Sequence, residues 1–304
     1  MKWIAACLLV QVLAVLSSGI APAGEKPTVL FAVSTRDKET WLAQPFASLN
    51  GGKVEALPVS MEPPSNDADE LLRWVEAKEK FAKHAFPPGA RLTVLDGGRP
   101  SGTLRVTTRN LAEWEAGCDY SAIRTAREIG TVPTNRSTVL ATNVRGGATS
   151  TAYRRRSSLR NEELALRLAV EAVFAKKGIP NVFIRQAEVF GTRSFAAANG
   201  SLIVSGHFTV FIPQGDPRYG MYTLFLLLEG QDGKFTVAHV EYDPATRKEP
   251  GYFREEAIDV IDIDRDGRPE IVTYLTAHEA SDFAVYRKRG RHWRRIFIGG
   301  GGSC

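Results

Sequence analysis

Apolar and polar positions follow two rhythms along this chain. Within residues 67–85, Leu71, Trp74, Val75, Phe81 and Ala82 recur at helical spacing. Ser65 or Asn66 can cap that helix, and Pro87-Pro88-Gly89 stops it. Residues 159–177 carry the same period more strongly, with Leu166, Ala169, Val170, Val173 and Phe174 on one face. Glu162 and Glu163 lie near the positive end of that helix dipole, and Lys176 and Lys177 near the negative end. Gly178-Ile179-Pro180 terminates it.

From residue 181 onward the period shortens to two. Strands are predicted over 182–190, 201–212, 221–229, 235–242, 257–261, 270–276, 283–287 and 293–298. Asp232-Gly233 and Lys288-Arg289-Gly290 mark tight hairpins, so these strands should form an antiparallel meander or sandwich. The first half is less regular. Residues 28–33 read as a strand, and 91–106 as two runs around Gly97-Gly98, a hairpin or small-barrel signature. Residues 131–156 are polar and read as a long surface loop holding a strand near 138–143. It ends in Arg154-Arg155-Arg156, read as a solvated run. The expectation is an α+β protein. A small mixed α/β domain (24–130) would be followed by a linker or long loop (131–157), then a helix plus an antiparallel β-domain (158–304).

The N-terminus adds a compartment. Lys2, the apolar run 4–16 and the close at Ala21-Pro22-Ala23 form a signal-peptide pattern over 1–23, with cleavage expected before Gly24. The apolar run is too short to span a hydrocarbon core of about 30 Å. The protein is therefore expected to be secreted or periplasmic. Losing Lys2 lowers the formal net charge of +5 by one. So mild an excess on a chain this long does not point to nucleic acid. Cys7 leaves with the signal, and Cys118 and Cys304 remain as either one disulfide or two free thiols.

The segment with chemistry in it is Asp262-Ile263-Asp264-Arg265-Asp266-Gly267-Arg268-Pro269-Glu270. Calcium takes six to eight oxygens and prefers carboxylates and carbonyls. Acids at alternate positions of a tight loop turn toward one point, and Gly267 permits the bend. Asp262, Asp264, Asp266 and Glu270, with the carbonyl of Arg268, are the predicted ligands. The loop is not an EF-hand, because its twelfth position is Thr273 instead of a bidentate Glu. With β-prone runs on both sides, it resembles the calcium loop of FG-GAP and VCBS-type repeats over about the last fifty residues. Those families repeat the unit to build a propeller, and this chain carries it once. The resemblance implies a β-hairpin clipped by structural Ca2+.

Other constellations do not assemble in the sequence. His84, His207, His239, His278 and His292 show no metal-ligand spacing, and no Gly-x-Ser-x-Gly elbow exists. Glu255, Glu256, Asp259 and Glu279 offer carboxylates that a glycosidase could pair. The basic run 287–295 reads as a solvated hairpin tip. These features favour a non-enzymatic binding or structural protein directed at an envelope, glycan or protein partner. The alternative is an exported, carboxylate-based hydrolase.

Overall fold

Val29, Phe31 and Val33 belong to one buried cluster and Leu30 and Ala32 to another, so both faces of the first strand are covered. That double burial runs through the molecule and sets its architecture. The structure, a computed structural model, describes residues 27–35, 40–60, 67–108, 123–133, 138–144, 153–217, 219–245, 254–277 and 280–303. The export signal, Cys118, Cys304, His278 and Glu279 lie outside the described residues.

The N-terminal elements are β1 (Thr28–Thr35), β2 (Thr40–Asn50), β3 (Lys53–Glu55), α1 (Ala68–Ala85), β4 (Arg91–Asp96), β5 (Arg99–Val106), β6 (Ile123–Gly130) and β7 (Val139–Thr142). Their sheet runs β1-β7-β4-β5-β6-β2-β3, and β1 also pairs with β2. The pairing closes six antiparallel strands into a barrel, with β3 appended. Val29, Phe31, Trp41, Leu92, Val94, Leu104, Ile123 and Ala141 fill it together with Phe81, Ala82 and Ala85 from the end of α1. Asp67 caps α1 by accepting the amides of Asp69 and Glu70.

The rest comprises β8 (Tyr153–Arg156), α2 (Arg160–Lys176), α3 (Asn181–Ile184), β9 (Glu188–Ala197), β10 (Leu202–Ile212), β11 (Gly220–Gln231), β12 (Lys234–Ala245), β13 (Arg254–Ile261), β14 (Glu270–Thr276), β15 (Ala280–Arg289) and β16 (His292–Ser303). Strands β8 to β12 form one antiparallel sheet and β13 to β16 another. The second is the middle layer. Its Ile258, Ile261, Val272, Phe283 and Val285 pack on Leu30, Phe46, Leu95 and Leu140 of the barrel wall. Its Ala257, Val260, Ile271, Ala284 and Tyr286 pack on Phe195, Ile203, Phe225 and Leu227 of the outer sheet. The far side of the outer sheet is covered by Leu166, Val170 and Phe174 of α2 and Ile184 of α3.

The α+β expectation is therefore corrected. Among the described residues 58% are strand and 17% helix, in three antiparallel sheets of which one closes as a six-stranded barrel. The helices plug or cover sheets and do not form a layer of their own between domains. The strand expected near 138–143 is β7, but it does not lie on the surface: it sits between β1 and β4 with all four residues buried.

Two glycines show how closely the layers approach. A Cβ on Gly97, in the β4–β5 turn, would lie 1.8 Å from the carbonyl oxygen of Tyr153. One on Gly300 would lie 2.0 Å from the Phe46 carbonyl oxygen. The C-terminal glycine run is thus an interlayer contact, held further by Gln44 Nε2 donating to the Gly300 carbonyl. Among the described residues no helix is long and apolar enough to cross a membrane.

Candidate metal centre

The β13–β14 connection starts at Asp262, immediately after Ile261, and ends where Glu270 opens β14 opposite Ile261. Between them the backbone turns through left-handed conformations at Arg265 and Gly267, which folds the loop back on itself. Ile263 is 4% exposed and packs in the barrel-facing core, so it anchors the turn from below. Its amide donates to Glu270 Oε2 at 2.9 Å. Gly267 N donates to Asp262 Oδ2 at 3.0 Å, and Asp266 N to Asp264 Oδ1 at 3.3 Å. These side-chain-to-backbone bonds fix where the carboxylates point.

Asp262, Asp264 and Glu270 each offer an oxygen, and these oxygens lie within 4.8 Å of one another. Asp262 and Glu270 are buried and Asp264 is half-buried. The donor set is all oxygen and all carboxylate, which suits a hard cation. The other two predicted ligands are not in that group. Asp266 is exposed and accepts the Arg268 amide at 2.8 Å, and Arg268 is exposed as well.

Arg287, by sequence one residue of a solvated hairpin tip, belongs to this site. The β14–β15 register places it opposite Glu270. Its Nε donates to Glu270 Oε1 at 2.7 Å and its Nη2 to Asp264 Oδ2 at 2.5 Å. Burial pushes the Glu270 carboxyl up to about 7, against the pull of the Ile263 amide and of Arg287. The barrel also reaches the loop, since a Cβ on Gly52 would lie 3.5 Å from Asp264 Cβ.

Among the described residues, the carboxylates that a glycosidase could pair, Glu255, Glu256 and Asp259, are each engaged within the fold. Glu255 is buried between the middle and outer sheets, where its Oε1 accepts from Thr273 Oγ1 at 2.7 Å and from Tyr286 OH at 2.8 Å. Asp259 is 2% exposed, and its Oδ2 accepts the Gly97 amide of the barrel at 2.9 Å. Glu256 is held by arginines. A half-open cleft of about 440 Å³ lies beside Tyr153, Leu202, Thr236 and Lys288. Of its two carboxylates, Glu229 and Asp232, Glu229 is engaged by Lys288 Nζ at 2.6 Å and Trp293 Nε1 at 2.9 Å. Glu255 and Glu270, whose pKa values rise to about 7, do not line it.

No protein-family model, no curated protein and no solved structure matches this chain. No repeat family is thereby recognised, and the likeness to FG-GAP and VCBS-type loops rests on the residues from Asp262 to Glu270 and their flanking strands.

Proposed function

We propose that this chain is an exported, non-enzymatic binding or structural protein whose β-layers are stapled by calcium at the β13–β14 loop. The observation that carries this reading is the approach of Asp262, Asp264 and Glu270 to within 4.8 Å, on a loop wedged between the middle sheet and the barrel. A divalent cation there joins carboxylates that otherwise repel, and only the folded chain assembles them. Three protein oxygens are fewer than calcium's usual six to eight, so water or loop carbonyls complete the shell. Arg287 lowers the affinity by adding positive charge beside two of the ligands, which places the site among weaker calcium sites. The partner is an envelope, glycan or protein surface. Support for the non-enzymatic half comes from the raised carboxyls, which sit in the core and at the loop instead of facing a cleft.

Thermal melts in calcium and in chelator test the reading. Calcium is expected to raise the melting temperature, by the equivalent of about 2.7 kcal/mol at 100 times its dissociation constant. Magnesium should do less, because it demands a tighter octahedral shell. Asp264→Ala should remove most of the calcium-dependent shift. Identical melting curves in calcium and chelator would overturn the staple.

A further inference from the structure

Three guanidinium groups from three strands meet at one carboxylate on the seam between the middle and outer sheets. Glu256, on β13, accepts from Arg193 Nη2 of β9 through Oε1 and from Arg254 Nη2 of its own strand through Oε2 at 3.1 Å. Arg155 Nη2 of β8 lies 3.6 Å from the oxygen that Arg193 reaches. Arg155 and Arg193 are further pinned by backbone, Arg155 donating to the Ile258 carbonyl and Arg193 to the Thr192 carbonyl. Setting Arg155 aside with its other partners, Arg193 and Arg254 still share a single carboxylate. The knot is thus richer in positive than in negative charge where solvent is partly excluded.

The donors are unevenly used. Arg193 Nε is buried and has no hydrogen-bond acceptor among the described residues. A buried donor without an acceptor is costly, and a guanidinium carries five N–H groups in a planar fork. Arg254 is the outermost member at 46% exposure, with its guanidinium 5.6 Å from the Phe190 ring centroid, so the knot opens to solvent on its side. Pinned inner guanidiniums and one reachable outer one match the geometry that takes two oxygens of a tetrahedral oxyanion at once.

We propose that this arginine knot binds a phosphate or sulfate group, held by the donor capacity that Arg193 and Arg254 do not spend on Glu256. Glu256 orients the arginines and repels the same anion, so it positions the site and limits its affinity. The site lies at the start of β13, whereas the calcium loop follows its end, and neither proposal depends on the other.

The test uses the full chain, dialysed free of calcium and chelator, and titrated calorimetrically with sodium phosphate, sodium sulfate or glucose 6-phosphate against sodium chloride at equal ionic strength. Phosphate and sulfate should bind saturably where chloride does not. Arg254→Ala should weaken phosphate about tenfold, the scale of one charge-assisted hydrogen bond at a partly exposed site. Glu256→Gln should tighten it, a result that a purely structural ion-pair knot would not give. Glucose 6-phosphate binding at least as well as inorganic phosphate would assign an esterified group, and its exclusion would assign a free anion. The proposal fails if phosphate and sulfate behave as chloride does in both the parent and Glu256→Gln. It fails equally if Arg254→Ala leaves phosphate binding unchanged, which would put the anion elsewhere. The surface-facing Arg254 variant keeps the test decisive even if Glu256→Gln does not fold.

Discussion

Asp259 lies just before the calcium loop and, by sequence alone, is one of the carboxylates that a glycosidase could pair. In the structure it joins two layers, since Oδ2 accepts the Gly97 amide and Oδ1 accepts the Val260 amide at 2.8 Å. Removing a buried acceptor leaves its donors unsatisfied, which costs about 1–3 kcal/mol. Asp259→Ala is therefore expected to destabilise the protein by roughly that amount in chelator and in calcium alike. Paired urea titrations with and without calcium check this, and a selective loss of the calcium response would contradict it. Sequence spacing located Asp262, Asp264 and Glu270, because alternating acids around a glycine are a local signal. Asp266 and Arg268, on the turn through Arg265 and Gly267, are both exposed. Sequence spacing missed Arg287, whose place beside Glu270 depends on strand register seventeen residues away and not on any local pattern.

The two long helices were legible because a helix satisfies its period within itself. Their observed bounds, Ala68–Ala85 and Arg160–Lys176, fall inside the segments predicted from spacing and stop signals. Of the barrel strands, β1, β4, β5 and β7 fall on runs legible as strand, whereas β2 and β6 are not legible. In β2, Pro45 interrupts the run beside a bulge opposite Leu30 and Phe31, so strict alternation breaks there. In β6, Arg124, Arg127 and Glu128 face outward, and only Ile123 and Thr125 are buried. In β7 the strand matches the run predicted near 138–143, but its burial comes from partners more than forty residues away. Closure of the barrel is thus a long-range event that no local window contains. The start of α2 shows the same dependence on distant chain. Glu162, 2% exposed, accepts from the Leu159 amide and Ser194 Oγ and pairs with Arg156. Arg156 belongs to the arginine triplet read as solvated, and here it ties β8 to the helix. Since Arg156 is about a third exposed, the loss in Glu162→Ala should fall below the 3–5 kcal/mol of a sealed pair, at about 2 kcal/mol. Chemical denaturation should register it, and a change under about 0.5 kcal/mol, the scale of an ordinary surface substitution, would contradict the assignment.

Across the whole molecule, the middle sheet shares one core with the barrel and a second with the outer sheet, so polar groups sealed along these seams report on assembly. Glu255 is one of them. Thr273 on β14 and Tyr286 on β15 donate to it, and its amide donates to His207 Nδ1 of β10 at 3.1 Å. Arg295 on β16 and His239 on β12 add favourable charge. Burial nevertheless dominates and pushes the carboxyl up to about 7 from an ordinary value of 4.5. A carboxyl whose folded pKa lies above its unfolded one holds its proton more tightly in the native state. Its contribution to stability is complete below pH 4.5 and is lost as pH rises through about 7. Glu162 and Glu241 have lowered pKa values, Glu162 through Arg156 and the Leu159 amide winning over burial, and Glu241 mainly through its bond from His239. Both stay ionised between about pH 5.5 and pH 8, so they add no slope in that window. The parent protein, melted in chelator, should therefore lose several degrees between those two pH values. Glu255→Gln keeps the shape and an acceptor for Thr273 and Tyr286 but cannot titrate, and it should flatten the trend. Glu270 shifts in the same direction as Glu255 but is unchanged in the variant, so the difference between parent and variant isolates Glu255. If both melt with the same pH slope, Glu255 is ionised throughout in the folded protein, and the seam between the sheets holds a charge instead of a proton.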